Sequence, residues 1–174
     1  MIKRGTRSGK SALLLLCALV FIFSMVPVTG RAQDAEKELN LEKIADDWKF
    51  RNGIQFIQLK KYDLAMQELQ EYLEIYTDGI HRNEAYTHMA GIYFQGYNYQ
   101  KAIEVYKSLY EEFGNTEEGI GAYYKTGICY QKMGYDSMAV MVFREIINEH
   151  PDSRYAYKSQ IQMDLLSILK DGQG

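Results

Sequence analysis

Four columns of residues recur at a spacing of 37 along this chain of 174 residues. Gly53, Ala90 and Gly127 make the first, Phe56, Tyr93 and Tyr130 the second, Ala65, Ala102 and Ala139 the third, and Leu69, Tyr106 and Phe143 the fourth. A fixed period of this length is the mark of stacked supersecondary units, none of which can bury its apolar face alone. The apolar pattern inside each unit has helical periodicity and predicts two helices per unit: 46–59 with 62–76, 83–96 with 99–113, and 120–133 with 136–149. The small residue of the first helix and the alanine of the second let the two approach closely, where larger side chains would wedge them apart. Turn residues fall between the predicted helices, at Lys60-Lys61, Gly96 to Asn98 and Gly134 inside the units, and at Thr77-Asp78-Gly79, Gly114-Asn115-Thr116 and Pro151-Asp152-Ser153 between them.

The order within a unit is small-x-x-aromatic, nine residues to alanine, then Ala-x-x-x-large apolar, closing in the third unit at Pro151. From residue 46 to about 155 this resembles the tetratricopeptide repeat (TPR), whose signature runs Gly-x-x-Tyr, Ala-x-x-x-Phe, Pro. The period exceeds the family's usual length of about 34, which we assign to a longer junction between units. The resemblance implies an all-α fold, an α-solenoid of three TPR helical hairpins (46–82, 83–119 and 120–152). A C-terminal capping helix is expected within 153–174, started by Ser153 and carrying the apolar stripe Tyr157, Ile161, Leu165, Ile168 and Leu169. Residues 33–45, rich in Glu and Lys, read as a lead-in segment or short helix.

In this family the first helices of successive hairpins line a concave groove. Carried onto this sequence, the groove columns are Asp47, Glu84 and Gly121; Phe50, Thr87 and Tyr124; Ile54, Gly91 and Ile128; Ile57, Phe94 and Gln131; and Gln58, Gln95 and Lys132. Members that grip a chaperone's C-terminal carboxylates present Lys and Asn there, and Phe50 and Ile54 stand in their place, so a carboxylate clamp is not expected. The implied partner is a protein offering an apolar helix or extended peptide, with Phe50, Ile54, Ile57, Thr87, Phe94, Tyr124, Ile128 and Gln131 as its candidate site. The other reading is that the chain's own lead-in or terminal helix covers these side chains. Of the 15 tyrosines, Tyr93, Tyr106 and Tyr130 fall in signature columns and read as core, while Tyr97 and Tyr99 sit near a hairpin tip.

The N-terminus follows a different logic. Lys3, Arg4, Arg7 and Lys10 precede an apolar stretch from Ala12 to Val28, and the small residues Thr29, Gly30 and Ala32 follow, the order of a secretory signal over residues 1–32. Cleavage is expected after Ala32 or after Gly30. The apolar stretch is about 17 residues, at the lower edge of what spans a bilayer, so residues 11–28 retained as a membrane anchor is the alternative. Either reading puts the repeats outside the cytoplasm, periplasmic or secreted, or held on the outer face of the inner membrane. Cys17 has no small residues ahead of it, unlike a lipoprotein signal, and Cys129 is then the only cysteine of the exported part, read as a small core residue. The five basic residues up to position 32 lie in a stretch without acid; residues 33–174 hold 15 Lys plus Arg against 23 Asp plus Glu, a formal charge of −8. Such a surface repels phosphate backbones, which argues against nucleic acid as a partner.

Residue constellations for chemistry do not emerge. His81, His88 and His150 fall in different elements with no cysteine pair near them, so neither a metal site nor a cofactor is expected. There is no Gly-x-Ser-x-Gly elbow, phosphate-cradling loop or dinucleotide fingerprint, and the acid pairs Asp46-Asp47, Glu111-Glu112 and Glu117-Glu118 diverge on a helix. The expectation is a non-enzymatic scaffold for protein–protein interaction in the cell envelope. In its repeats and its "HPDSRYAYKS" segment the chain resembles the periplasmic TPR scaffolds of the BamD type and of the Tol-Pal coordinator (CpoB) type. Two rivals are a membrane-anchored subunit that recruits a partner, and an accessory of a cell-wall enzyme.

Overall fold

The computed structural model describes the backbone from Val28 to Asp171 and the side chains of residues 37–169. Among the described residues there are seven α-helices and no strand: α1 Val28–Gln58, α2 Tyr62–Ile75, α3 Arg82–Gln95, α4 Tyr99–Phe113, α5 Glu117–Lys132, α6 Asp136–Glu149 and α7 Arg154–Asp171. The chain divides into two units, residues 1–44 and 45–174. In the first, the described part is the opening of α1, where Leu39, Leu41 and Ile44 are exposed. The lead-in expected at 33–45 is helical throughout, because 35–43 is almost entirely Ala, Glu, Lys and Leu, with neither Gly nor Pro to stop a helix. The signal over 1–32 and the alternative anchor over 11–28 lie outside the described residues except for the start of α1. Among the described residues no helix is long and apolar enough to cross a membrane.

The second unit is a succession of hairpins. Each helix from α2 onward packs on the next, α5 also packs on α3, and α7 also packs on α5. The 37-residue columns are where the hairpins close. A Cβ on Gly53 would lie 2.7 Å from Leu69 Cδ2, and one on Gly127 would lie 2.8 Å from Phe143 Cζ, so the first-helix glycine is the space into which the large residue of the second helix fits. Ala65, Ala90, Ala102 and Ala139 are fully buried, as are Leu69 and Phe143. The tight turns repeat as well. Lys60, Tyr97 and Gly134 have φ of 57°, 59° and 77°, and each is followed by a residue whose N–H donates to the second signature column: Lys61 to Phe56, Asn98 to Tyr93 and Tyr135 to Tyr130, each 2.9 Å. Only the third turn uses glycine for the left-handed residue; the other two accept a side chain there at some strain.

Helix α5 starts at Glu117, three residues before the position expected from the apolar pattern. The cause is local: Thr116 Oγ1 accepts the Gly119 N–H at 3.1 Å, and Glu117 and Glu118 sit in the first turn, where the helix dipole favours carboxylates. Ser153 performs the same task for α7, its Oγ accepting the Tyr155 N–H at 3.1 Å.

Candidate functional site

The face of the first helices is built rung by rung from α1, α3 and α5, and the structure places the eight candidate residues unequally along it. Phe50 is only 5% exposed and lies in a parallel stack with His81, ring centroids 4.4 Å apart. It is core, not open lining. Ile54 and Ile57 are half-buried against the cluster that contains Phe50, Leu69 and Tyr72. Thr87 is exposed and its Oγ1 donates to the Asn83 carbonyl at 2.8 Å. Phe94 is half-buried, edge-on to Tyr99 at 5.4 Å and beneath Lys125 Nζ at 5.9 Å. Tyr124 and Ile128 are half-buried beside the second cluster, Tyr124 lying 5.5 Å from the ring of Tyr155, and Gln131 Nε2 donates to Gln162 Oε1 at 3.3 Å.

These contacts share a rule. Phe50 meets His81, Phe94 meets Lys125, Tyr124 meets Tyr155 and Gln131 meets Gln162, each pair 31 residues apart. A lining residue of one rung is therefore covered by a residue from the next first-type helix, and this is why Phe50 and Tyr124 are less open than their columns imply. Helix α7 supplies that cover for the third rung. Tyr155 occupies the space over Gly121, where a Cβ would lie 2.6 Å from its ring.

Among the described residues, this face shows two hollows. One, of about 540 Å³, is lined by Asp47, Phe50, Arg51, Ile54, Gln55, Gln58, His81 and Glu84. The other, of about 220 Å³, lies among Thr87, Gly121, Lys125, Arg154 and Tyr155 with Tyr106 and Leu109 behind them. Acidic groups edge the first. Asp47 accepts from Arg51 Nε at 2.7 Å and lies 3.2 Å from His81 Nε2, and the guanidinium of Arg51 holds its carboxyl below the usual carboxylate value. On α3, with its ring 6.3 Å from that of Phe50, His88 is pushed below the ordinary histidine value by burial.

Two polar networks fix the junction between the first two hairpins. Asp46, 5% exposed, accepts from Tyr72 Oη at 2.6 Å and from the Ile80 N–H at 3.0 Å, while Tyr72 Oη accepts the His81 N–H at 3.0 Å. Beside it Arg82 donates to both oxygens of Glu112, and to the carbonyls of Leu73 at 2.7 Å and Tyr76 at 2.9 Å, which closes the C-terminal end of α2. Sequence reasoning missed both, because an Asp-Asp pair gives no sign that one member is buried, nor a Glu-Glu pair that one member is held by an arginine 30 residues away. Cys129 is fully buried and its thiol is pushed up to about 11 by desolvation, a packing residue and not a nucleophile. Among the described residues no cluster of three or more His, Cys, Asp or Glu side chains is placed to hold a metal ion.

Comparison with known proteins agrees with this geometry. The N-terminal domain of stress-induced protein-1 (STI-1) from C. elegans superposes with a TM-score of 0.56 at 17% identity, covering 70% of this chain and 96% of that one, a likeness of fold. No curated protein matches the chain. Residues 84–116 and 121–153 match the family model described as tetratricopeptide repeat, so the second and third hairpins carry such repeats within an all-helical fold of the same type.

Proposed function

We propose that this protein is a non-enzymatic scaffold that docks an apolar helix or peptide of a partner protein on the face of its first helices, and that it does so in the cell envelope. Tetratricopeptide folds are generally interaction scaffolds, and fold alone does not name a partner, so the reading rests on the site. The observation that carries it is the 540 Å³ hollow beside half-buried Ile54, a recess with Ile54 and Phe50 as its apolar part and a polar rim of Asp47, Arg51, Gln55, Gln58, His81 and Glu84, open to a partner that offers an apolar side chain with polar groups around it. Export is supported by the charged, apolar and small-residue order of residues 1–32, and the likeness to periplasmic scaffolds of the BamD and Tol-Pal coordinator (CpoB) type points to the same compartment. The apolar stretch, at the lower edge of what spans a bilayer, leaves room for a second form of the same reading, in which residues 11–28 stay as an inner-membrane tether and the repeats recruit the partner to it.

The test is quantitative recovery of co-purifying proteins from the native cell with the variants Ile54→Ser and Phe94→Ser, each checked for unchanged helix content by circular dichroism. Recovery should fall by about tenfold, equivalent to about 1.4 kcal/mol of binding. Recovery equal to that of the parent chain for both folded variants overturns the reading.

A further inference from the structure

Among the described residues of the second unit, the outer side of α7 holds the largest run of bare apolar side chains. Ile161, Leu165, Ile168 and Leu169 are 39%, 49%, 65% and 62% exposed, whereas Phe50 on the first rung is 5% exposed. Apolar side chains bared together on one helix face are often functional.

The 37-residue register says what this stripe is. Helix α7 starts 37 residues after α5, and α7 packs on α6 and α5 in the way that α5 packs on α4 and α3. The positions that bury α5 against the preceding hairpin, Gly119, Ala122 and Cys129, correspond to Ala156, Ser159 and Leu166, all buried. Continuing the groove columns by one step takes Tyr124 to Ile161, Ile128 to Leu165, Gln131 to Ile168 and Lys132 to Leu169. The stripe is thus a fourth rung of the first-helix face. Among the described residues no helix covers it, and its side chains stand exposed. This rung differs from the earlier ones at one column: where Gly53, Ala90 and Gly127 admit a second helix, α7 carries exposed Asp164, with Gln160 donating to its Oδ1 at 2.8 Å.

Charge identifies the occupant. Residues 33–174 have a formal charge of −8, yet Lys125 and Lys132 stand on the third rung and Lys158 on the fourth. None of the three forms an ion pair among the described residues, and two are held over aromatic rings: Lys125 over Phe94 at 5.9 Å and Lys158 over Tyr155 at 5.0 Å. We infer that the outer side of α7 is the anchoring rung of the docking face, and that it takes an amphipathic partner helix whose apolar stripe is flanked by carboxylates. Leu165 and Ile168 receive the stripe, and the lysines receive the acids and set the orientation.

The inference rests on the docking reading above, and the experiment separates the two. The probe is a fluorescent, helix-forming peptide of about five turns with leucines at three- and four-residue spacing flanked by glutamates; its twin carries lysines in their place. Binding to the full chain is followed by anisotropy at about 50 mM and about 0.5 M salt. The acidic peptide should bind at least about tenfold tighter than its twin at low salt, with the gap closing at high salt. Leu165→Ser with Ile168→Ser should lose about tenfold or more, and Lys125→Glu with Lys132→Glu should invert the preference. If the serine pair changes the circular dichroism, Leu169→Glu serves in its place. Equal binding of the twins, or binding unaffected by the α7 variants, overturns the inference; so does a dimer of the parent chain that the serine pair dissociates, since the stripe then covers a second copy. Loss of partner recovery with Ile54→Ser or Phe94→Ser, but not with the α7 variants, leaves the docking face standing and sinks only its fourth rung.

Discussion

Phe143→Ala is expected to destabilise the repeat unit by about 3–5 kcal/mol, with a fall in thermal midpoint of roughly 10–20 °C. Phe143 is fully buried on α6, its ring fills the space left by the absent side chain of Gly127, and its centroid lies 5.5 Å from that of Tyr124. The substitution therefore empties the contact that closes the third hairpin, and neither helix can move in to refill it without breaking the packing of α5 on α4. Met141→Ala on the same helix is the control. Met141 is 69% exposed, and its loss should stay within about 0.5 kcal/mol. Urea or thermal unfolding followed by circular dichroism measures both, and similar midpoints for the two variants would show that the 37-residue columns do not carry the fold.

Asp46→Ala should cost about 2–4 kcal/mol, because the change removes the acceptor of the fully buried Tyr72 hydroxyl and the partner of the Ile80 N–H. It also loosens the path from Tyr72 to the His81 N–H, which holds the junction between α2 and α3 in place. The adjacent acid is the contrast. Asp47 pairs with Arg51, whose side chain is 74% exposed, and Asp47→Ala should leave the urea midpoint where it is. Tyr72→Phe should reproduce part of the Asp46→Ala loss, since the carboxylate keeps the Ile80 N–H but loses the hydroxyl. A pair of neighbouring acids with equal effects would contradict the buried network.

The hairpins were legible because their defining columns are steric. Gly53 against Leu69 and Gly127 against Phe143 are choices that a single chain displays as a small residue and a large one at fixed spacing, and no partner has to be known to read them. The turn at Gly134 was legible for the same reason, while the left-handed conformations of Lys60 and Tyr97 were not, because those residue types do not advertise it. Openness of the candidate site was harder. Phe50 and Tyr124 occupy lining columns, but His81 and Tyr155 from the following rung lie over them, a relation at a separation of 31 that crosses the repeat period and does not show as a pattern of like residues. The stripe on α7 was visible in the sequence as an amphipathic face. Its place as a fourth rung appeared only when the packing of α7 on α5 and α6 tied it to the register. Asp46 left no signal, since burial of one acid in a pair is decided by tertiary neighbours.

Docking on the first-helix face is the centre of this account, and site-specific photo-crosslinking in the native cell tests it most directly. A photoreactive phenylalanine analogue is placed in turn at Gln58 and Gln95, which are exposed in the lining columns, and at Glu104 and Met141, which are exposed on the second helices of their hairpins. The account predicts a protein adduct from Gln58 and Gln95 and none from Glu104 or Met141. Adducts from the second-helix positions, with none from the lining columns, would contradict it.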